Sequence, residues 1–196
     1  MTGAQSHPTL VEAMDQVGSL VRRSKTSFFW AMRLLPEAKR NAMYAVYAFC
    51  REVDDIADEP GIEAEKRARL SEWRQELENV FAGQGRFPVS LALAGAATGF
   101  GLEKKDCLAI VDGMEMDASD AVRIADGEEF NLYCDRVACA VGRLSVRVFA
   151  AAARMNLPRP VAEEEEARRN PKLAAWAFQS PVWPQAIQRC IELVDS

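Results

Sequence analysis

The sequence predicts an all-α fold, and three observations carry that prediction. Apolar residues recur at helical spacing from the start, as Leu10, Val11, Met14, Val17, Leu20 and Val21. The segment from Glu63 to about Phe81 is amphipathic, with Leu70, Trp73, Leu77 and Val80 on one stripe and charges elsewhere. No alternating strand pattern competes anywhere in the chain. At 196 residues and 49% hydrophobic composition, a single domain with a sizeable core is expected over residues 1–196.

The elements follow in order. After the first helix, a short apolar helix begins near Ser27, with Ser27 as its N-cap. Pro36 then opens a long helix, and Glu37 beside it suits the positive end of the dipole. Between Met43 and Val53 that helix has no clean polar face, which places it in the interior. It ends in Asp54, Asp55 and Asp58 before Pro60-Gly61. The amphipathic helix comes next, then a turn at Gly83–Gly85, then a helix from about Val89 to Gly99–Gly101. Another spans Glu103 to about Ala118 with Leu108, Val111 and Met114 inward, and a loop leads to a helix starting at Asp126 or Gly127. The resulting architecture is a helical bundle around a cavity.

The chemistry is concentrated at the end of the long helix. Offsets of three and four residues bring Arg51 to one face with Asp54 or Asp55, and Asp58. Carboxylates at a helix C-terminus oppose the dipole and repel one another, so a compensating charge is called for. Mg²⁺ fits: it takes hard oxygens, commonly one or two carboxylates plus the oxygens of a substrate phosphate. The competing reading is a solvated helix end. Carboxylates and one arginine at the mouth of an apolar space suit a substrate with a diphosphate head and a hydrocarbon tail.

Residues 27–58 resemble the first signature block of the squalene and phytoene synthases, the head-to-head prenyl transferases. The resemblance is carried by Leu34-Leu35-Pro36, Arg40, Ala42 through Arg51, and Asp54-Asp55-Ile56-Ala57-Asp58. It is strongest to the bacterial branch that makes presqualene diphosphate in hopanoid biosynthesis. A second block, Asp112-Gly113-Met114-Glu115-Met116-Asp117, and a third, Tyr133 through Phe149, follow in family order. The resemblance covers about residues 10–149 and implies an isoprenoid-synthase-like bundle, Mg²⁺ as cofactor and farnesyl diphosphate as substrate. It implies that Asp54, Asp55 and Asp58 hold Mg²⁺ on a diphosphate and that Arg51 contacts the diphosphate. It places Ser27 near the diphosphate and Phe28 in the pocket wall, with Tyr133, Val137, Ala138, Val141 and Gly142 along the prenyl channel. Close helix packing is the alternative for Val137 and Val141, and an ordinary half-buried tyrosine for Tyr133.

The chain also departs from the family. The second aspartate-rich motif, Gln-x-x-Asn-x-x-x-Asp-x-x-x-Asp, is not found, since Asp195 is the only aspartate after Asp135. Residues 150–196 read as a divergent or non-family tail. Glu163 through Glu166 read as a solvated acidic run. Two activities therefore stand side by side: presqualene diphosphate synthesis, with phytoene synthesis as its close relative, and non-catalytic binding of a prenyl diphosphate. Asp112 and Glu115 share a helix side with Asp117 near it, as a cavity rim or as partners of arginines. Arg22, Arg23, Arg136, Arg143 and Arg147 read as surface or helix-pairing cations.

Composition excludes other classes. A formal charge of −5 offers no general basic surface to nucleic acid. The lone His7 rules out His-based zinc and Ser-His-Asp sites. Cys50, Cys107, Cys134 and Cys139 read as reduced core thiols of a cytoplasmic protein. No secretory leader or membrane span is expected, so a lipid substrate calls for loose contact with a membrane surface at most.

Overall fold

The computed structural model describes residues 8–24, 26, 28–119 and 124–151. The expectations for Ser27 and for residues 152–196 lie outside them. The described chain is helical throughout, in the order α1 (Leu10–Arg23), α2 (Phe28–Arg33), α3 (Glu37–Asp58), α4 (Glu63–Phe81), α5 (Pro88–Phe100), α6 (Lys104–Asp117), α7 (Gly127–Cys134), a π-helical turn (Asp135–Cys139) and α8 (Ala140–Ala150).

Local chemistry sets the boundaries. Thr9 caps α1: the Glu12 backbone N–H donates to Thr9 Oγ1 at 3.3 Å, and Glu12 Oε2 accepts from the Thr9 backbone N–H at 2.8 Å. Asp126 caps α7 by accepting the backbone N–H groups of Glu128 and Glu129, each at 2.9 Å. Gly101 ends α5 at φ 64°, where a side chain would be strained.

The long helix α3 is the axle of the bundle. It packs against α1, α4, α5, α6 and α8. Ala45, Val46, Ala48, Phe49 and Val53 are buried, which accounts for its nearly continuous apolar wording. Phe49 meets Trp73 of α4 edge-on at 5.2 Å between centroids, and Trp73 meets Phe87 at 5.0 Å. Leu70, Leu77, Leu93, Val111 and Leu144 complete the centre.

One buried charge organises the approach to α5. Glu76 is 1% exposed. It accepts from the Arg86 backbone N–H at 2.7 Å, from Arg86 Nε at 2.5 Å and from Asn79 Nδ2 at 2.9 Å. Burial pushes this carboxyl up, but hydrogen bonds from Ser90, Arg86 and Asn79 outweigh that and hold it below its ordinary value. The loop carrying Arg86 is thus tied to α4 by an ionised buried group.

The π-turn interrupts what would otherwise be one helix from Gly127 to Ala150. The Ala140 backbone N–H reaches back to the Asp135 carbonyl, five residues earlier. The extra residue turns α7 relative to α8 by about 100°. The turn lies against α6, where Gly113 makes room for it. A Cβ on Gly113 would sit 2.9 Å from Val137 Cγ1 and 3.1 Å from Arg136 Cβ. Val137 therefore packs closely at the α6 crossing. α7 itself buries no residue, and Phe130 and Leu132 are 52% and 46% exposed.

Candidate functional site

The site forms where two helix C-termini meet. Asp54 and Asp58, four residues apart, stand one above the other on the last turn of α3. Asp55 is turned about 100° from Asp54 around the helix. Asp117 is the last residue of α6. Charges at two C-terminal dipole ends are doubly disfavoured, once by the dipoles and once by one another.

The electrostatics register this convergence. Burial raises the Asp54 carboxyl, Asp58 adds to it, Arg51 opposes, and Asp55 and Asp117 push it up again. Burial also raises Asp117; a hydrogen bond from Tyr133 opposes the rise, and Asp58 adds to it. Tyr133 Oη donates to Asp117 Oδ2 at 3.3 Å. Its phenol is raised by burial and by Asp117, with a smaller contribution from Asp54. Asp54, Asp58, Asp117 and Tyr133 therefore face one region.

Arg51 supplies the local cation. Its Nη1 lies 2.9 Å from Asp54 Oδ2, and its Nη2 contacts Asp55 Oδ1. All three side chains are a little over 40% exposed, so the guanidinium is free to exchange a carboxylate for a ligand at small cost.

The remaining expected site residues are placed as follows. Phe28 is 48% exposed on α2, beside Phe29, which stacks on Tyr44 at 6.3 Å. Ala138 is exposed, Gly142 is half-buried, and Val141 packs against the core. Asp112 and Glu115 are held by Arg74 of α4 at 2.5 and 2.8 Å, and Arg136 approaches Asp112 at 3.7 Å. They are partners of arginines, as one of the two sequence readings had it. Asp117 is the member of that block that interacts with Asp54 and Asp58; the sequence weighed it together with Asp112 and Glu115, as a cavity rim or as a partner of arginines, without separating it from them. Its signal was there: five residues place it about 140° around the helix from Asp112, away from the Arg74 face.

The donor set suits Mg²⁺. Carboxylate oxygens are hard ligands, and the raised Asp54 and Asp117 mark a local excess of negative charge that a divalent cation would relieve. Among the described residues, no three carboxylate, histidine or cysteine side chains already converge as a ready-made cage. Mg²⁺ commonly retains waters and takes phosphate oxygens as further ligands, so an incomplete protein cage fits this ion. Asp54 and Asp58 are the carboxylates that would hold it, with Asp117 close enough to raise Asp54 and to be raised by Asp58.

The raised carboxyls, pushed up first by burial and then by repulsion, have a measurable sign. Asp54 and Asp117 bind protons more readily in the folded than in the unfolded chain. Their contribution to stability is fully present below the ordinary value of 3.8 and is lost as pH rises through the raised folded values. Asp117→Asn keeps an acceptor for Tyr133 but removes one charge. It is expected to raise the thermal midpoint of the ligand-free protein by about 1–2 °C at neutral pH. That gain should vanish in acid, where the wild-type carboxyl is already protonated. A variant less stable than wild type at neutral pH would count against the repulsion.

A separate cleft of about 520 Å³ opens on the opposite face of α3, lined by Glu52, Ile56, Trp73, Arg86 and Phe87 among others. It contains none of the site carboxylates. Among the described residues, no helix is long and apolar enough to cross a membrane.

Comparison with known proteins bears on this geometry. The family model described as squalene/phytoene synthase matches residues 21–180, beyond the Phe149 at which the resemblance read from the residues ends. A presqualene diphosphate synthase of Zymomonas mobilis is 43% identical over 141 residues, covering 70% of this chain and 47% of that protein. One from Rhodopseudomonas palustris is 47% identical over 125 residues, covering 63% of this chain and 44% of that protein. A crystal structure of a squalene synthase from Alicyclobacillus acidocaldarius superposes with a TM-score of 0.63 at 28% identity, over 73% of this chain and 54% of that one. A dehydrosqualene synthase solved with a ligand gives the same TM-score at 26% identity, over 71% of this chain and 48% of that one. The chain spans about half the length of the curated relatives it matches.

Proposed function

The chain belongs to the squalene/phytoene synthase family, and on that premise we propose that its site binds farnesyl diphosphate with Mg²⁺ and serves head-to-head condensation to presqualene diphosphate. The observation that carries this reading is the meeting of Asp54, Asp58 and Asp117 beside Arg51 and Tyr133.

Each group has a role in that chemistry. Mg²⁺ would neutralise the charge that develops on the departing diphosphate. Arg51, released from Asp54 and Asp55, donates charge-assisted hydrogen bonds to the diphosphate oxygens. Asp54 and Asp58 would hold the ion, and Tyr133 fixes Asp117 through its hydroxyl. The reaction also requires that water be kept from the allylic cation. Two farnesyl diphosphates give one presqualene diphosphate, one diphosphate and one proton, so no reductant enters the balance.

A second reading rests on the second aspartate-rich motif not being found among these residues. In it the chain holds one prenyl diphosphate and does not turn it over. Incubation of the purified chain with labelled farnesyl diphosphate and Mg²⁺ separates the two. Presqualene diphosphate with stoichiometric diphosphate supports the synthase. Mg²⁺-dependent binding without product supports the half-site, and absence of binding defeats both.

A further inference from the structure

We propose that Arg143 is a positioning residue for this site: bound at once to Asp106 of α6 and to Asp135 of the π-turn, it fixes the register of that turn and so holds Tyr133 on Asp117. The proposal rests on the reading of that region as a prenyl diphosphate site.

The geometry is specific. Arg143 Nε donates to Asp106 Oδ1 at 2.6 Å, while Nη1 and Nη2 donate to Asp135 Oδ1 and Oδ2 at 2.6 and 3.3 Å. Asp135 opens the π-turn and Arg143 lies beyond its last residue, Cys139. The guanidinium therefore spans the turn like a brace. Asp106 anchors the brace to the base of α6, where it is 1% exposed, and its Oδ2 has no hydrogen-bond partner.

A π-turn needs such a brace. Its hydrogen bonds run i→i+5 with an unpaired step, and neighbouring helix conformations compete with it. Slippage to an ordinary α-helix would rotate α7 by about 100° relative to α8. Tyr133 sits two residues before the turn and α7 buries no residue, so α7 has little other means of resisting that rotation. The opposite end of α6 carries Asp117, the acceptor of the Tyr133 hydroxyl. Arg143 thus ties the π-turn to the base of the helix whose tip supplies Asp117. A lysine is a single point charge and does not reproduce a fork that serves two carboxylates.

The test uses the full chain labelled with 3-fluorotyrosine. Tyr44, Tyr47 and Tyr133 are the only tyrosines, so Tyr133→Phe assigns the third resonance. Asp135→Asn is the first variant, because Asp135 is 44% exposed and its loss leaves the buried Asp106–Arg143 pair intact. Arg143→Lys is the second. In both, the Tyr133 resonance is expected to move by more than its linewidth while those of Tyr44 and Tyr47 stay in place. Mg²⁺-dependent binding of farnesyl thiodiphosphate, a non-reacting analogue, is expected to weaken about tenfold. Combined with Tyr133→Phe, Asp135→Asn should cost little more than Tyr133→Phe alone. An unmoved Tyr133 resonance, equal movement of all three, or unchanged binding in both variants overturns the proposal. A shifted Tyr133 in a chain whose wild type binds no analogue upholds the brace and defeats the ligand reading instead.

Discussion

Asp54→Asn combined with Asp58→Asn is expected to weaken Mg²⁺-dependent binding of farnesyl thiodiphosphate by about a hundredfold or more while the helical fold survives. The two carboxylates share one face of the last turn of α3 and are the groups best placed to hold the ion. Under the proposed function, removing both would take away its direct ligands, and a hundredfold corresponds to about 2.7 kcal/mol. Folding is not threatened, because the Asp54 carboxyl is already strained by burial and by Asp58, so neutralising it relieves the ligand-free protein. Asp55→Asn alone should matter much less, about threefold to tenfold, since Asp55 points off that face and is occupied by Arg51. Calorimetric titration with and without Mg²⁺ reads all of these. Binding that survives the double substitution would remove the metal from this end of α3.

Gly85→Ala is expected to be the most damaging single-methyl change in the described chain, at about 3 kcal/mol. A Cβ at Gly85 would collide with the backbone of Ser90 and Leu91 at the start of α5, and backbone cannot step aside as a side chain can. The loop would have to lift, taking with it the Arg86 backbone N–H and guanidinium that satisfy Glu76. Glu76 would then be left ionised and poorly partnered in the core, the circumstance in which broken buried pairs cost about 3–5 kcal/mol. Urea unfolding followed by far-ultraviolet circular dichroism measures it. A loss under about 1 kcal/mol would mean that the loop relaxes without disturbing Glu76. Gly83→Ala is a useful contrast: it meets no atoms but holds a φ of 76°, so it is expected to cost about 1 kcal/mol through backbone strain alone.

The helices were legible in the sequence because their signals are local. The apolar wording from Met43 to Val53 foretold a buried α3, and the stripe of Leu70, Trp73, Leu77 and Val80 foretold the inner face of α4. Asp54 and Asp58 were legible for the same reason: a spacing of four on a helix is a statement about geometry. Asp117 was legible only as one of three acids on α6, since what separates it from Asp112 and Glu115 is where α6 ends relative to α3, a tertiary matter. Asp112 and Glu115 could not be resolved without Arg74, forty-one residues before Glu115. The π-turn was invisible because an i→i+5 step leaves no compositional mark. Its effect is large all the same, for it directs Val137 onto Gly113 and leaves Ala138 outward.

The placement of α3 at the axle bears on how the protein comes to be folded. Among the described helices α3 packs on α1 and α5, which also pack on each other, so the apolar centre built by α1, α3, α4 and α5 needs nothing beyond Phe100. A chain emerging from the ribosome can close such contacts as each helix appears. Phe49, Leu77 and Leu93 are available to one another before Asp117 is synthesised. The mutually repelling carboxylates are therefore brought together late, onto a scaffold whose apolar centre has already formed.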